Sequence, residues 1–363
     1  MSKKVQKVLV TGANGYIGDA VAKAFNRAGW ETYGLIRRAE DALDLARHEI
    51  HPIVGSPSSL AWLEKDAHAV FDAVVSNTED FSNYAGHFAD VLAMLREIGR
   101  RSLAQGVRPL VMFTSGCKDY GCTARHGDPY LAPHTEESPL NPPELLISRT
   151  EMTVRLLDGD HPFDAVVLRP TTVYGYGSSY YGPLLAYAER QGRSHSQGKS
   201  QDQSHGSATG ILHINSHPNT IMHGTHVDDC AEAYITLAAH PDRSAIKGQA
   251  FNISNSKYET VQDIAEAVGR SYGLAVEYHP PDDDDRKKEI KPGTVDAVVA
   301  YSQWVSSAKL RKLTGWTEKR PAFAEGLERY RLAYQAAVQA KDRMMRVLAL
   351  MDAAEVNQQV SKM

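Results

Sequence analysis

The stretch TGANGYIG (Thr11 to Gly18) decides the fold. It follows VQKVLV (Val5 to Val10), a short apolar run that reads as a buried strand. After it, Ile17, Val21 and Phe25 recur at four-residue spacing, and Gly29 closes the pattern. That is a helix with one inward face and a glycine stop. ETYGLI (Glu31 to Ile36) is the next strand, so the opening of the chain is one βαβ unit. A glycine-rich turn between a strand and a helix is a dinucleotide site. Gly12 permits the tight turn, Gly15 lets the backbone approach a pyrophosphate, and Gly18 lets helix and strand pack closely. The helix N-terminus offers free N–H groups and a positive dipole end to the phosphates. Gly12, Asn14, Gly15, Tyr16, Ile17 and Gly18 are therefore the expected cofactor contacts.

The same alternation continues outward. Strands are expected near Ile50 to Val54, Ala73 to Ser76, Leu110 to Phe113 and Ala165 to Leu168. A helix from His87 to Leu103 carries Phe88, Leu92, Leu95 and Ile98 on one stripe. Alternating strands and helices predict an α/β protein, a Rossmann-type doubly wound parallel sheet covered on both faces. Regularity weakens after Arg169. The stretch from Gln191 to Gly210 is too polar for a core element and reads as a loop or insertion. Its His195 and His205 have no acidic or cysteine ligands at helical or hairpin spacing, so no metal site is expected. Asp282 to Asp285, followed by Arg286, Lys287 and Lys288, reads as a solvated turn. Past Phe323 a stripe of Leu327, Tyr330, Tyr334 and Val338, extended by Met345, Leu348 and Met351, marks a helical tail. It packs either on its own domain or against a second subunit.

Composition narrows the class. The chain has 363 residues, 42% hydrophobic, with a formal charge of −4. That supports a large packed core and gives no basic face for nucleic acid. Cys117, Cys122 and Cys230 are scattered and read as free thiols. No run approaches a membrane span, and a cytoplasmic location is the default expectation. The expected partner is a small-molecule substrate.

The residue after the second strand selects the cofactor's ribose. An acid there accepts from a 2′-hydroxyl, whereas an arginine pairs with a 2′-phosphate. This chain has GLIRRAE, with Arg37 and Arg38 at that reach and no acid before Glu40. NADP(H) is expected over NAD(H).

Several segments now align with one family. TGANGYIG, FTSGCKDYG (Phe113 to Gly121), LRPTTVYG (Leu168 to Gly175), HVDDCAEAY (His226 to Tyr234) and SSAKLRKLTGW (Ser306 to Trp316) occur in the order found there. The chain resembles the extended short-chain dehydrogenase/reductases, which include nucleotide-sugar epimerases and dehydratases. The resemblance implies a Rossmann lobe (1–172 and about 223–254) and a smaller, mostly C-terminal substrate lobe (about 173–222 and 255–363). It implies that the segment Pro170 to Val173 passes near the nicotinamide, that Asn77 lies near the cofactor after the fourth strand, that Ser115 meets the substrate oxygen, and that Tyr120 lines the pocket. It suggests a homodimer.

The family's Tyr-x-x-x-Lys pair is missing. Residues four apart share a helix face, so the lysine can lower the tyrosine pKa and hold the ribose. Here the segment LLISRTE puts Leu145 and Arg149 at those places. No lysine occurs between Lys118 and Lys199, and no tyrosine between Tyr130 and Tyr174, so no shift of register restores the pair. Arg149 can hold charge but cannot trade a proton readily. Replacement donors are Tyr120, Lys118, Tyr174 and Tyr176, all at strand ends. Cys117 has no marked base, and His226 with Asp228 reads as structural. Two functions stand open: an oxidoreductase or epimerase/dehydratase-like enzyme with a rewired site, catalysis resting on Ser115, Tyr120 and Arg149, or a cofactor-binding sensor without turnover.

Overall fold

The computed structural model describes residues 5–64, 70–177, 180–197, 210–281, 294–342 and 345, with backbone alone at 194–197. His205, the charged run from Asp282 to Lys288, Leu348 and Met351 lie outside these residues, as does the side chain of His195. The chain opens with β1 (Lys7–Thr11), α1 (Tyr16–Arg27), β2 (Glu31–Ile36), α2 (Ala42–Ala46), β3 (His51–Val54), α3 (Ala61–Glu64) and β4 (Ala73–Ser76). Next come α4 (Tyr84–Ala104), β5 (Leu110–Thr114), α5 (Ile147–Asp158), β6 (Asp164–Pro170), β7 (Thr172–Tyr174) and α6 (Gly182–Gln197). They are followed by β8 (Gly210–Ile214), β9 (Ile221–Met222), β10 (Gly224–His226), α7 (Val227–Ala238), β11 (Gln249–Ile253) and β12 (Glu259–Thr260). The last are α8 (Val261–Tyr272), β13 (Leu274–Tyr278), α9 (Val295–Val299), α10 (Ala308–Thr314) and α11 (Leu327–Ala340).

Seven strands form one parallel sheet in the order β11-β6-β5-β4-β1-β2-β3. This is the doubly wound sheet expected. Period-two alternation divides its side chains between two cores. Val8, Val10, Val75, Met112 and Leu168 pack with Phe25 of α1 and Tyr234 of α7. Leu9, Val74, Val111 and Val167 pack with Phe88, Met94 and Ile98 of α4 on the other face. Each such side chain, fully buried, contributes about 1.5–3 kcal/mol. Strand order reverses between β1 and β4, so the ligand crevice opens at the carboxyl ends of those two strands.

A third core joins α6, α8, β8, β13 and α11 around Leu184, Ile214, Ile264, Phe323 and Tyr330. Tyr181 and Phe323 stack at 4.1 Å within it. Leu327, Tyr330 and Tyr334 bury here, so the tail's stripe packs on its own chain, while Val338 stays exposed.

Three sequence expectations change. Helix α4 starts at Tyr84 rather than His87, because the Asn83 side chain accepts from Gly86 N–H at 3.2 Å and caps it there. The polar stretch from Gln191 is helical as far as Gln197. Leu184, Leu185 and Ala188 anchor α6 in its core, and helix growth carries past them into weak sequence. Finally, α10 was assigned to the smaller lobe but packs on the sheet's core through Leu310 and Trp316, whose indole N–H donates to Asp229 O at 3.0 Å. Among the described residues no helix is long and apolar enough to cross a membrane.

Candidate active site

The crevice is built by close backbone approach. Gly12 adopts φ +61°, and a Cβ there would lie 3.1 Å from Asn77 O. A Cβ at Gly18 would collide with the Gly12 carbonyl. Both glycines are therefore required by the turn from β1 into α1. Gly15 precedes α1 in extended conformation and, among the described residues, no side chain caps the helix, which leaves its first amides for an anion. Asn77 is pinned beside them: its N–H donates to Thr11 Oγ1 at 3.1 Å, and its Oδ1 accepts from Thr114 Oγ1. Its Nδ2, with Ser76 Oγ and Thr78 Oγ1, is buried without a partner among the described residues. Buried polar atoms are rarely left so. Three at one strand end, beside a glycine cradle, fit a polar ligand such as a dinucleotide. Gly12, Gly15, Tyr16, Ile17 and Gly18 would hold the pyrophosphate and Asn77 the inner ribose or nicotinamide end. The Tyr16 hydroxyl itself donates to Gly175 O at 2.7 Å.

The two arginines after β2 differ. Arg38 donates through Nε and Nη2 to Asp41 Oδ2 at 2.9 and 2.7 Å. Asp41 is buried and also accepts from Asn14 Nδ2 at 2.8 Å, so Asn14 braces the loop with its side chain. Arg37 is exposed, and among the described residues no carboxylate pairs with it.

Ser115, Tyr120 and Arg149 do come together, but around a residue the sequence reading missed. Asp119 is fully buried and accepts from Ser115 Oγ (2.6 Å), Arg149 Nη2 (2.8 Å), Thr150 Oγ1 (3.0 Å) and Arg169 Nε (3.3 Å). Arg169 continues the network to the Tyr120 hydroxyl at 2.9 Å, which in turn donates to Asn252 Oδ1 at 2.8 Å. Arg149 also reaches Glu79 at 3.5 Å. A Cβ at Gly116 would lie 3.3 Å from its guanidinium, so Arg149 fills the space beside that glycine.

These side chains are engaged within the protein. Tyr120 is 2% exposed, and burial pushes its hydroxyl well above the ordinary phenol range. With both hydrogen bonds committed it is a poor acid for an external substrate. Arg149 is held by carboxylates rather than extended toward a ribose. Other proposed donors are also engaged. Tyr174 OH donates to Pro321 O at 2.8 Å inside the third core. Tyr176 donates to Asp228 at 2.8 Å. The Cys117 thiol donates to Arg169 O and is pushed up by burial, so it is no nucleophile. His226 caps α7 by accepting from Asp228 N–H at 3.1 Å, as its structural reading expected.

Lys118 is different. Its Nζ stands 4.9 Å from the Tyr301 ring centre and 5.4 Å from that of Tyr180. Among the described residues no carboxylate pairs with it. Burial, and then the nearby positive Arg149, lower its pKa. It faces a small recess with Thr172, Tyr180, His223, Tyr301 and Gln303. Thr172 lies on the segment from Pro170 to Val173, where Pro170 and Val173 themselves are buried. His223 is spent, since Nε2 bonds Asn255 O at 2.9 Å, Nδ1 accepts from Val305 N–H at 3.2 Å, and burial drops it to about 4. Tyr180 and Tyr301 carried no periodic signal, because fold closure alone brings them to Lys118. A second cluster also escaped the sequence reading: His213, Glu277 and His279 converge on the outer face of β8 and β13.

Comparison with known proteins agrees with this architecture. The chain is similar in structure to dTDP-glucose 4,6-dehydratase of Bacillus anthracis, solved with NAD, at TM-score 0.66 and 15% identity, covering 92% of this chain and 97% of that one. It is similar to UDP-glucose 4-epimerase of Thermotoga maritima, solved with UDP-glucose, at TM-score 0.66 and 18% identity, covering 92% and 100%. An uncharacterised protein of Schizosaccharomyces pombe is 28% identical over 181 residues, which are 49% of this chain and span 58% of that relative's length. A model of the NAD dependent epimerase/dehydratase family matches residues 8–254, most of the chain, and the protein belongs to that family.

Proposed function

We propose that the protein is an NADP(H)-dependent enzyme acting on a carbonyl or hydroxyl carbon of a small molecule, with Lys118 in the proton-transferring place that tyrosine usually takes. The observation that carries this reading is Lys118 itself: an amine without a carboxylate partner among the described residues, beside the nicotinamide-side segment and lowered in pKa. A bound nicotinamide supplies or accepts a hydride. In the reducing direction Lys118 Nζ gives a proton to the substrate oxygen and is left as a neutral amine. In the oxidising direction the neutral amine takes that proton back. Tyr301 and Tyr180 hold the ammonium over their ring faces, and burial, with Arg149 second, keeps it from binding its proton too tightly. NADP(H) is favoured through Arg37, which is available for a 2′-phosphate, whereas Arg38 is tied to Asp41.

A second reading, a cofactor-binding sensor, is favoured by one observation: Ser115, Tyr120 and Arg149 are all locked in buried bonds. Turnover separates the two. NADPH-loaded protein is mixed with nucleotide sugars, aldehydes and ketones, and nicotinamide absorbance is followed. The enzyme reading expects absorbance to fall with at least one of them. Tight NADPH binding with no fall in any mixture contradicts it and supports the sensor.

A further inference from the structure

We propose that His213, Glu277 and His279 form a binding site for a transition-metal dication of the zinc type, on the outer face of the β8–β13 pair. Glu277 and His279 are two residues apart, so they project from one face of their strand. The parallel register sets Glu277 opposite His213. The ladder continues past β13, because His279 N–H donates to Ile214 O at 2.8 Å. The backbone therefore fixes all three positions before any ion arrives. The opposite face is anchored, with Leu212, Ile214 and Leu274 buried in the third core.

The same three atoms make all three contacts. His213 Nδ1 lies 3.0 Å from His279 Nε2 and 3.6 Å from Glu277 Oε2, and His279 Nε2 lies 3.8 Å from that oxygen. A tetrahedral zinc with bonds of about 2.0–2.1 Å needs its ligand atoms about 3.3–3.4 Å apart. The observed separations bracket that value. Among the described residues no lysine or arginine competes for Glu277. Two imidazoles and one carboxylate suit zinc, nickel or copper, whereas magnesium and calcium prefer all-oxygen sets. Three protein ligands leave a fourth position for water. A bound ion would tie β8 to β13 and so steady the face of the smaller lobe. The site does not depend on whether the chain turns over a substrate.

The test uses chelator-stripped full-length protein and zinc alone, followed by calorimetry and by thermal unfolding. One zinc per chain with micromolar or tighter affinity is expected, with a higher melting temperature on loading. His279→Ala and Glu277→Gln should each weaken binding at least tenfold, and His213→Ala should do the same. These side chains are exposed, so the variants are expected to fold, and circular dichroism checks that. Excess magnesium should not displace the zinc. Equal zinc binding by wild type and the His213→Ala, Glu277→Gln, His279→Ala triple variant would overturn the proposal, as would the absence of saturable binding to wild type.

Discussion

Asp119 is the residue around which the unusual site is organised. It is a carboxylate without solvent exposure that holds two guanidinium groups and two hydroxyls. Removing one partner of a buried ionic group leaves uncompensated charge and costs about 3–5 kcal/mol. Asp119→Ala should lose stability on that scale in urea unfolding, because Arg149 and Arg169 would then repel one another. A loss below about 1 kcal/mol would show that the network is slack. Tyr120→Phe removes two hydrogen bonds and should cost about 1–3 kcal/mol of stability while leaving kcat within a few-fold. A hundredfold drop in kcat at unchanged stability would instead restore Tyr120 as the acid. An arginine suits position 149 at this scale, since its fork spans Asp119 and Glu79 together.

At the scale of elements, β1, α1 and β2 form the glycine turn proposed to hold the cofactor, and here the fold was most legible in the sequence. Glycine spacing and hydrophobic period are local, so TGANGYIG and ETYGLI could be placed without knowing the rest of the chain. The division of labour between Arg37 and Arg38 was not local. It depends on Asp41 folding back onto the turn and on Asn14 meeting it, which adjacent letters do not disclose. Arg37→Ala should weaken NADPH binding roughly 10- to 100-fold, the size of a lost charge-assisted bond, and leave NADH unchanged. Arg38→Ala should weaken both cofactors alike, because it loosens Asp41 and through it Asn14. Equal losses for both cofactors in Arg37→Ala would remove the basis for NADP(H) preference. In the loop after β5, a proposed ligand loop, the side-chain directions were not legible. Lys118, Asp119 and Tyr120 are consecutive, yet one faces the recess and two are buried. Side-chain direction in a short 3-10 turn has no long period to reveal it.

At the scale of the molecule, the recess is shared. The turn after β5 supplies Lys118 and β7 supplies Thr172, and residues around the third core supply Tyr180, His223 and Tyr301. Contacts between segments so far apart in sequence follow from the fold and could not be read before it. Lys118 is therefore the residue on which the functional account depends. General acid–base groups contribute about 10²–10⁴ in rate. Reduction needs the ammonium form, so kcat should fall as pH rises through the lowered Lys118 pKa, and oxidation should rise over the same range. Tyr301→Leu should shift that limb by removing one ring from the amine. The most direct test is single-turnover NADPH oxidation across pH for wild type and Lys118→Met, with NADPH affinity measured alongside. The account predicts a loss of at least about a hundredfold in rate, disappearance of the pH limb and unchanged NADPH affinity. A Lys118→Met protein that turns over at the wild-type rate with the wild-type pH profile would contradict it.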